Sequence, residues 1–152
     1  MRAINHAVTG AAIGLVVGIP EIAVPLALIS HYVCDTLPHY GETRPKVEEV
    51  SGKPFLVLLV LDACLCTLLV GLLVAARPTH WLLAAVCAFV AASPDMLSLR
   101  RFIDLNHGIV KKRNAYERFS LGIQWFERPI GAVVEVAWFA AMVTIIATFW
   151  KR

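Results

Sequence analysis

His31, Asp35 and His39 recur at four-residue intervals in the segment Ser30 to Tyr40 (SHYVCDTLPHY), at the point where an apolar stretch runs out. Residues four apart share a helical face, so His31 and Asp35 point the same way. Pro38 should end or kink that helix, which lets His39 fold back toward the pair. Two imidazoles and a carboxylate that converge form a ligand set for a metal ion. The same spacing also suits an ordinary helix end, with His39 near the C-terminal dipole and Asp35 in solvent.

Three more residues belong with this set. His6 follows Asn5 at the start of the first apolar run, where the pair would otherwise serve as a helix cap. Asp95 ends a third apolar run at Ser93-Pro94-Asp95. Asp62 lies inside the apolar run Pro54 to Ala76, about nine residues or roughly 12 Å from its start. A carboxylate at such depth costs about 2.5 to 3.5 kcal/mol, so Asp62 needs a divalent ion, a buried cation, a proton or a neighbouring hydroxyl.

Mixed imidazole and carboxylate donors suit zinc, with manganese or iron next. His6, His31, His39, Asp35, Asp62 and Asp95 exceed what one tetrahedral ion takes. They suffice for one or two ions, and two ions about 3.5 to 4 Å apart are the arrangement used in phosphoester hydrolysis. Water activated by the metal would then be the nucleophile. Asp35, Asp62 and Arg100 are the catalytic candidates on this reading, with Arg100 or Arg101 placed just after Asp95 to hold a phosphate.

The elements that carry these side chains are apolar helices. The chain of 152 residues is 59% hydrophobic and 16% charged, with a mean hydropathy of +0.71, which is the composition of a membrane protein rather than of a soluble domain. Crossing the hydrocarbon takes about 20 mostly apolar residues. Pro54 to Ala76, Thr79 to Leu97 and Ile130 to Trp150 meet that length. The run from Ala7 to Ser30 is broken at Gly18, Pro20, Glu21 and Pro25, and Gly-Ile-Pro-Glu is turn chemistry. It predicts a hairpin of two short helices, roughly Asn5 to Val17 and Glu21 to Leu37, that either re-enters or crosses a locally thinned bilayer. The expected fold is therefore an all-α integral membrane protein of about five hydrophobic helices, a single domain over residues 1–152.

Arg2 supplies a thin basic start without a cleavage site after it, so a retained N-terminus is expected. Cys34, Cys64, Cys66 and Cys87 lack zinc-finger or redox spacing and read as packing thiols, with Cys66, one turn after Asp62, the candidate soft ligand. The basic residues set an orientation. With the N-terminus inside, all of the 14 lysines and arginines except Arg77, Lys151 and Arg152 fall on the inner side, as expected for the cytoplasmic membrane of a prokaryote. Every candidate ligand then lies toward the inner face. His80, in Pro78-Thr79-His80-Trp81, faces the other way as part of an interfacial anchor.

The inner segment Ser98 to Pro129 is basic and aromatic. Phe119, Ile123 and Phe126 recur at helical spacing, which fits an interfacial amphipathic helix; the alternative is a plain basic loop on the inner side. Its position between membrane helices makes an anionic lipid headgroup, rather than nucleic acid, the expected partner.

The Asn5-His6 start, the His31-x-x-x-Asp35 pair, the exit through Leu37-Pro38-His39 and the Ser93-Pro94-Asp95 helix end resemble the bacterial membrane-bound metal-dependent hydrolases, and distantly zinc-dependent phospholipase C. The resemblance covers mainly Met1 to Leu97. It implies metal binding at His6, His31, Asp35 and Asp95, with hydrolase activity. An Arg-Gly-Phe-Thr-His-Ser type segment common in such proteins is missing, and the nearest downstream histidine is His107. The expected function is metal-dependent hydrolysis of a phosphoester or phospholipid-like substrate. The rival is a non-enzymatic protein, either a metal-stabilised scaffold or a small ion carrier, and a carrier would need polar residues that continue to the opposite face.

Overall fold

The computed structural model describes residues 1–40, 53–109 and 111–150. Residues 41–52, with Arg44 and Lys46, and Lys151 and Arg152 lie outside the described residues. The chain is mostly helical: α1 (Ala3–Val17), α2 (Pro20–Thr36), α3 (Lys53–Ala76), α4 (Trp81–Asn106), α5 (Ala115–Ile123) and α6 (Gly131–Phe149). No strand occurs among the described residues; His39 and Glu127 form an isolated bridge.

Among the described residues three segments are long and apolar enough to cross a membrane: Leu56–Ala76, Trp81–Leu105 and Gly131–Phe149. Their outer faces leave Val57, Leu68, Phe89, Val133 and Val136 exposed, the last by 70%. The buried side chains include Asn5, His6, His31, Asp35 and His39. Apolar groups outside and polar groups inside invert the pattern of a water-soluble domain.

Two boundaries differ from the sequence reading. Helix α4 does not end at Ser93-Pro94-Asp95 but runs through Pro94 and past Leu97 to Asn106. Proline removes the N–H that would bond the carbonyl four residues earlier, here that of Val90. The Ser93 hydroxyl donates to that same carbonyl at 2.9 Å, so the break is chemically satisfied and the helix continues. At the other boundary Arg2, not Asn5, stands at the N-cap of α1. Asn5 lies inside the helix with 3% exposure, so it does not cap it.

The predicted turn between the first two helices is present. Gly18 adopts φ +65°, and its N–H bonds the Gly14 carbonyl. Pro20 then opens α2 with Glu21 in its first turn, both favourable at a helix start. Helix α1 is the centre of the bundle, packed most extensively on α4 and also on α2, α6 and α3. A side chain at Gly10 would strike the Cys87 carbonyl, and one at Gly14 would meet the Ala84 backbone. This small-xxx-small face brings the two backbones together as in membrane helix pairs.

The Gly18 turn lies against His80, so the hairpin tip reaches the turn between α3 and α4. Helix α1 has 15 residues and α3 has 24, or about 22 and 36 Å. The difference appears at the opposite end, where Arg2 meets Asp62 rather than the start of α3. The first residues of α1 are thus sunk below the ends of α3 and α4, with α5 beside α2.

Candidate metal centre

Four side chains from three helices meet at the sunken end. His6 comes from the first turn of α1, His31 and Asp35 from successive turns of α2, and Asp95 from the residue after the Pro94 break in α4. Ligand atoms of His6, His31 and Asp95 all lie within 4.8 Å of one another. Asp35 closes the group, with Oδ1 3.1 Å from His6 Nε2 and Oδ2 3.5 Å from His31 Nε2. Asp95 Oδ1 is 3.9 Å from His31 Nε2. Bonds of about 2.0 to 2.1 Å to a tetrahedral ion would put its ligand atoms about 3.3 Å apart, so the group needs little adjustment to hold one.

Local bonding prepares the imidazoles for that role. His31 Nδ1 is 2.8 Å from the Ala91 carbonyl. A carbonyl can only accept, so Nδ1 carries a proton, the usual second bond of a metal-ligating histidine, and Nε2 is the ring atom that faces the two carboxylates. The His6 ring lies 4.0 Å from the His31 ring, tilted by 31°. It is fully buried, and neither of its nitrogens has a hydrogen bond of acceptable geometry. Buried polar groups are rarely left in that state.

The surroundings hold Asp35 and screen the group. The Gln124 amide donates to Asp35 Oδ2 at 3.1 Å, and the Met1 amino group donates to Oδ1 at 2.6 Å. The Tyr116 hydroxyl donates to the Pro94 carbonyl at 3.1 Å. Burial, with Tyr32 and nearby carboxylates, pushes the Tyr116 phenol up to about 12, so it keeps the proton it donates. Tyr32 sits between His31 and Phe119 of α5, with ring centroids 5.1 and 5.6 Å away. Helix α5 starts at a capping box between Asn114 and Glu117 and ends at Ile123, so Phe126 falls beyond the predicted amphipathic helix.

The other candidates are not brought into this group. Asp62 Oδ1 accepts from Arg2 Nε at 3.1 Å and Nη2 at 2.8 Å; its charge is met by a cation from α1, not by the His31/Asp35 pair. His39 is buried after the Pro38 break but turns away, with Nδ1 bonded to the Leu37 carbonyl and Nε2 3.5 Å from Glu127. Its backbone exchanges bonds with Phe126 and Arg128, which fixes that direction. Arg100 lines a separate pocket with Asp104 and Lys111, and Arg101 pairs with Glu117 at 3.5 Å. Cys66 packs on the apolar cluster around Ala11 and Leu73.

Sequence reasoning missed Gln124, Tyr116 and the Arg2 contact. Arg2 had a usable signal, because a buried carboxylate requires a partner and Arg2 sits four residues before His6. Gln124 and Tyr116 had none, since they reach the site from α5 and the residue that follows it, separated from the ligands by a long stretch of chain. Protein-family models, curated proteins and solved structures offer no match to this chain.

Proposed function

We propose that the protein is an integral membrane protein of five hydrophobic helices, α1 to α4 and α6, with a divalent-metal centre formed by His6, His31, Asp35 and Asp95. We further propose that this centre hydrolyses a phosphoester, on a phosphorylated or lipid-like substrate that arrives at the membrane boundary. The observation that carries the reading is the buried His6 ring, whose Nδ1 has no hydrogen-bond partner among the described residues and whose Nε2 faces Asp35 Oδ1 at 3.1 Å outside hydrogen-bond geometry, beside a second imidazole whose proton is tied down on the far side. Each unsatisfied buried group costs about 1 to 3 kcal/mol, and a cation bound by one of these nitrogens removes that nitrogen's cost.

Zinc suits the donor set best, with manganese or iron next. Such an ion supplies Lewis acidity toward a phosphoryl oxygen and lowers the pKa of water. The chain does the rest. The Ala91 carbonyl sets the His31 tautomer, the Gln124 amide orients Asp35, and Tyr32 with Phe119 excludes water from one side. The Asp95 side chain is 35% exposed while those of His6 and Asp35 are fully buried, so a substrate would approach past Asp95. The resemblance to membrane-bound metal-dependent hydrolases supports the same reading. The lysine and arginine distribution supports an inner site, an inside N-terminus and the cytoplasmic membrane.

A metal-stabilised scaffold is the second reading, favoured by the closure of three of the four ligands. An ion carrier fits less well, because past Thr9 the buried side of α1 is Ala11, Ala12 and Leu15, with no polar path onward. The test is elemental analysis of the purified protein together with turnover of phosphomonoester, phosphodiester and phospholipid substrates in lipid. The hydrolase reading expects bound metal and turnover, both lost in Asp35→Ala. Bound metal with no turnover above that variant's background replaces the enzyme with the scaffold, and absence of metal removes both.

A further inference from the structure

Past Asp95, α4 continues for about three turns. This overhang, Ile109 and the 111–117 segment enclose a pocket of about 260 Å³. None of the four metal-centre residues lines it. Four cations, Arg100, Arg101, Lys111 and Lys112, face two carboxylates, Asp104 and Glu117. Lys111 Nζ is 2.9 Å from Asp104 Oδ2, and Arg101 Nη1 is 3.5 Å from Glu117 Oε2. Glu117 also accepts from the Asn114 backbone in the capping box. Both carboxylates are therefore committed, and each ion pair ties the overhang to the segment opposite.

Arg100 and Lys112 are left. Both are exposed, and neither makes an ion pair among the described residues; Arg100 feels Asp104 only at longer range. Two uncommitted cations on walls braced by two ion pairs form a receptor for a dianion or a diester. A guanidinium offers a planar fork and an ammonium a point charge, the pair of donors that phosphate takes best.

Apart from Asn114 the remaining wall is apolar, built from Leu97, Leu105 and Ile109. Outside it Met96, Leu99 and Ile103 are exposed on α4 and run back toward the apolar belt of the bundle. The volume falls just under the range of about 300 to 1,000 Å³ of pockets that enclose whole drug-sized ligands. A headgroup fits inside, and chains would lie along the apolar strip. We infer that this pocket binds the phosphate group of an anionic amphiphile, with Arg100 and Lys112 as its direct ligands, as a site separate from the metal centre.

The experiment is equilibrium binding of short-chain phosphatidylglycerol to the full chain in neutral detergent, with excess chelator present so that the result is independent of the metal centre. Arg100→Ala/Lys112→Ala should lose affinity by about tenfold or more, since hydrogen bonds to charged groups are involved. Arg113→Ala/Arg118→Ala removes the same charge from residues outside the pocket and should change it less than about twofold. Lys112→Ala alone, outside any helix, is the milder variant and should lose an intermediate amount. A short-chain fatty acid should bind the wild type at least about tenfold more weakly than the phosphate lipid. Inorganic phosphate separates the sources: displacement of the lipid at similar concentration supports soluble phosphate, and failure to displace supports the lipid headgroup. Unchanged affinity in Arg100→Ala/Lys112→Ala, equal losses in the two double variants, or equal binding of the fatty acid would overturn the proposal.

Discussion

From Gly10 to Leu15, α1 lies against Ala84, Ala88 and Ala91 of α4 through methyl groups and glycine backbone, a contact complete in itself. From Asn5 to Thr9 the same helix buries an amide, an imidazole and a hydroxyl. Thr9 is satisfied, since its hydroxyl donates to the Asn5 carbonyl and accepts from Trp138 Nε1. His6 and the Asn5 side-chain oxygen are not. One half of the helix gains its stability from close approach alone. The other is built around groups that need a partner, and it sits where three helices can supply ligands.

The comparison is broken most directly from the apolar half. Gly10→Leu drives a side chain into the Cys87 carbonyl, and overpacking at a backbone contact should cost about 3 kcal/mol or more. The expected outcome is little or no monodisperse protein in detergent, whereas Gly71→Leu, whose position is open to the surroundings, should purify normally. Equal yields of the two would mean that the α1/α4 contact does not hold the bundle.

The polar half should respond to metal instead. With free metal at about a hundred times its dissociation constant, bound ion adds about 2.7 kcal/mol. Chelation should therefore lower the thermal midpoint of the wild type by several degrees, and His6→Ala should melt low and be indifferent to chelator. A chelator response that survives in His6→Ala would place the ion elsewhere.

A smaller effect separates Asp62 from the centre. Arg2→Met strips a partly exposed cation from a half-buried carboxylate and should cost about 1 kcal/mol or more. Replacing both partners with apolar residues, in Arg2→Met/Asp62→Leu, should recover most of it. Metal content measured by elemental analysis should be the same in the wild type and both variants. A fall in the Asp62 variant would return that carboxylate to the ligand set.

The helical hairpin was legible because Gly18, Pro20 and Glu21 act locally: a left-handed φ, a missing N–H and a first-turn carboxylate need no distant partner. The His31/Asp35 pair was legible for a similar reason, since helical periodicity alone puts residues four apart on one face. Pro94 misled because its usual effect depends on whether the freed carbonyl finds a donor. The donor was the adjacent Ser93, visible in the chain but with its rotamer undetermined. His39 misled because Pro38 fixes only that the chain leaves the helix, while the bridge to Glu127 decides where it goes.

Composition and apolar run length by themselves determined that this chain forms long apolar helices, because burying backbone polar groups in an apolar medium leaves helices as the economical solution for such runs. They also determined which residue types were available as ligands. The tertiary structure alone decided which carboxylates serve which partners. Asp62 and Asp35 are both acidic residues in apolar helices, and nothing local distinguishes them. The short α1 sinks Arg2 to the level of Asp62 and His6 to the level of Asp35, so one carboxylate receives a guanidinium while the other receives the Met1 amino group and faces two imidazoles. Relative helix depth is set by the glycine contacts and the Gly18 turn at the far end of α1, through packing between residues distant in sequence, and no window of the chain contains it.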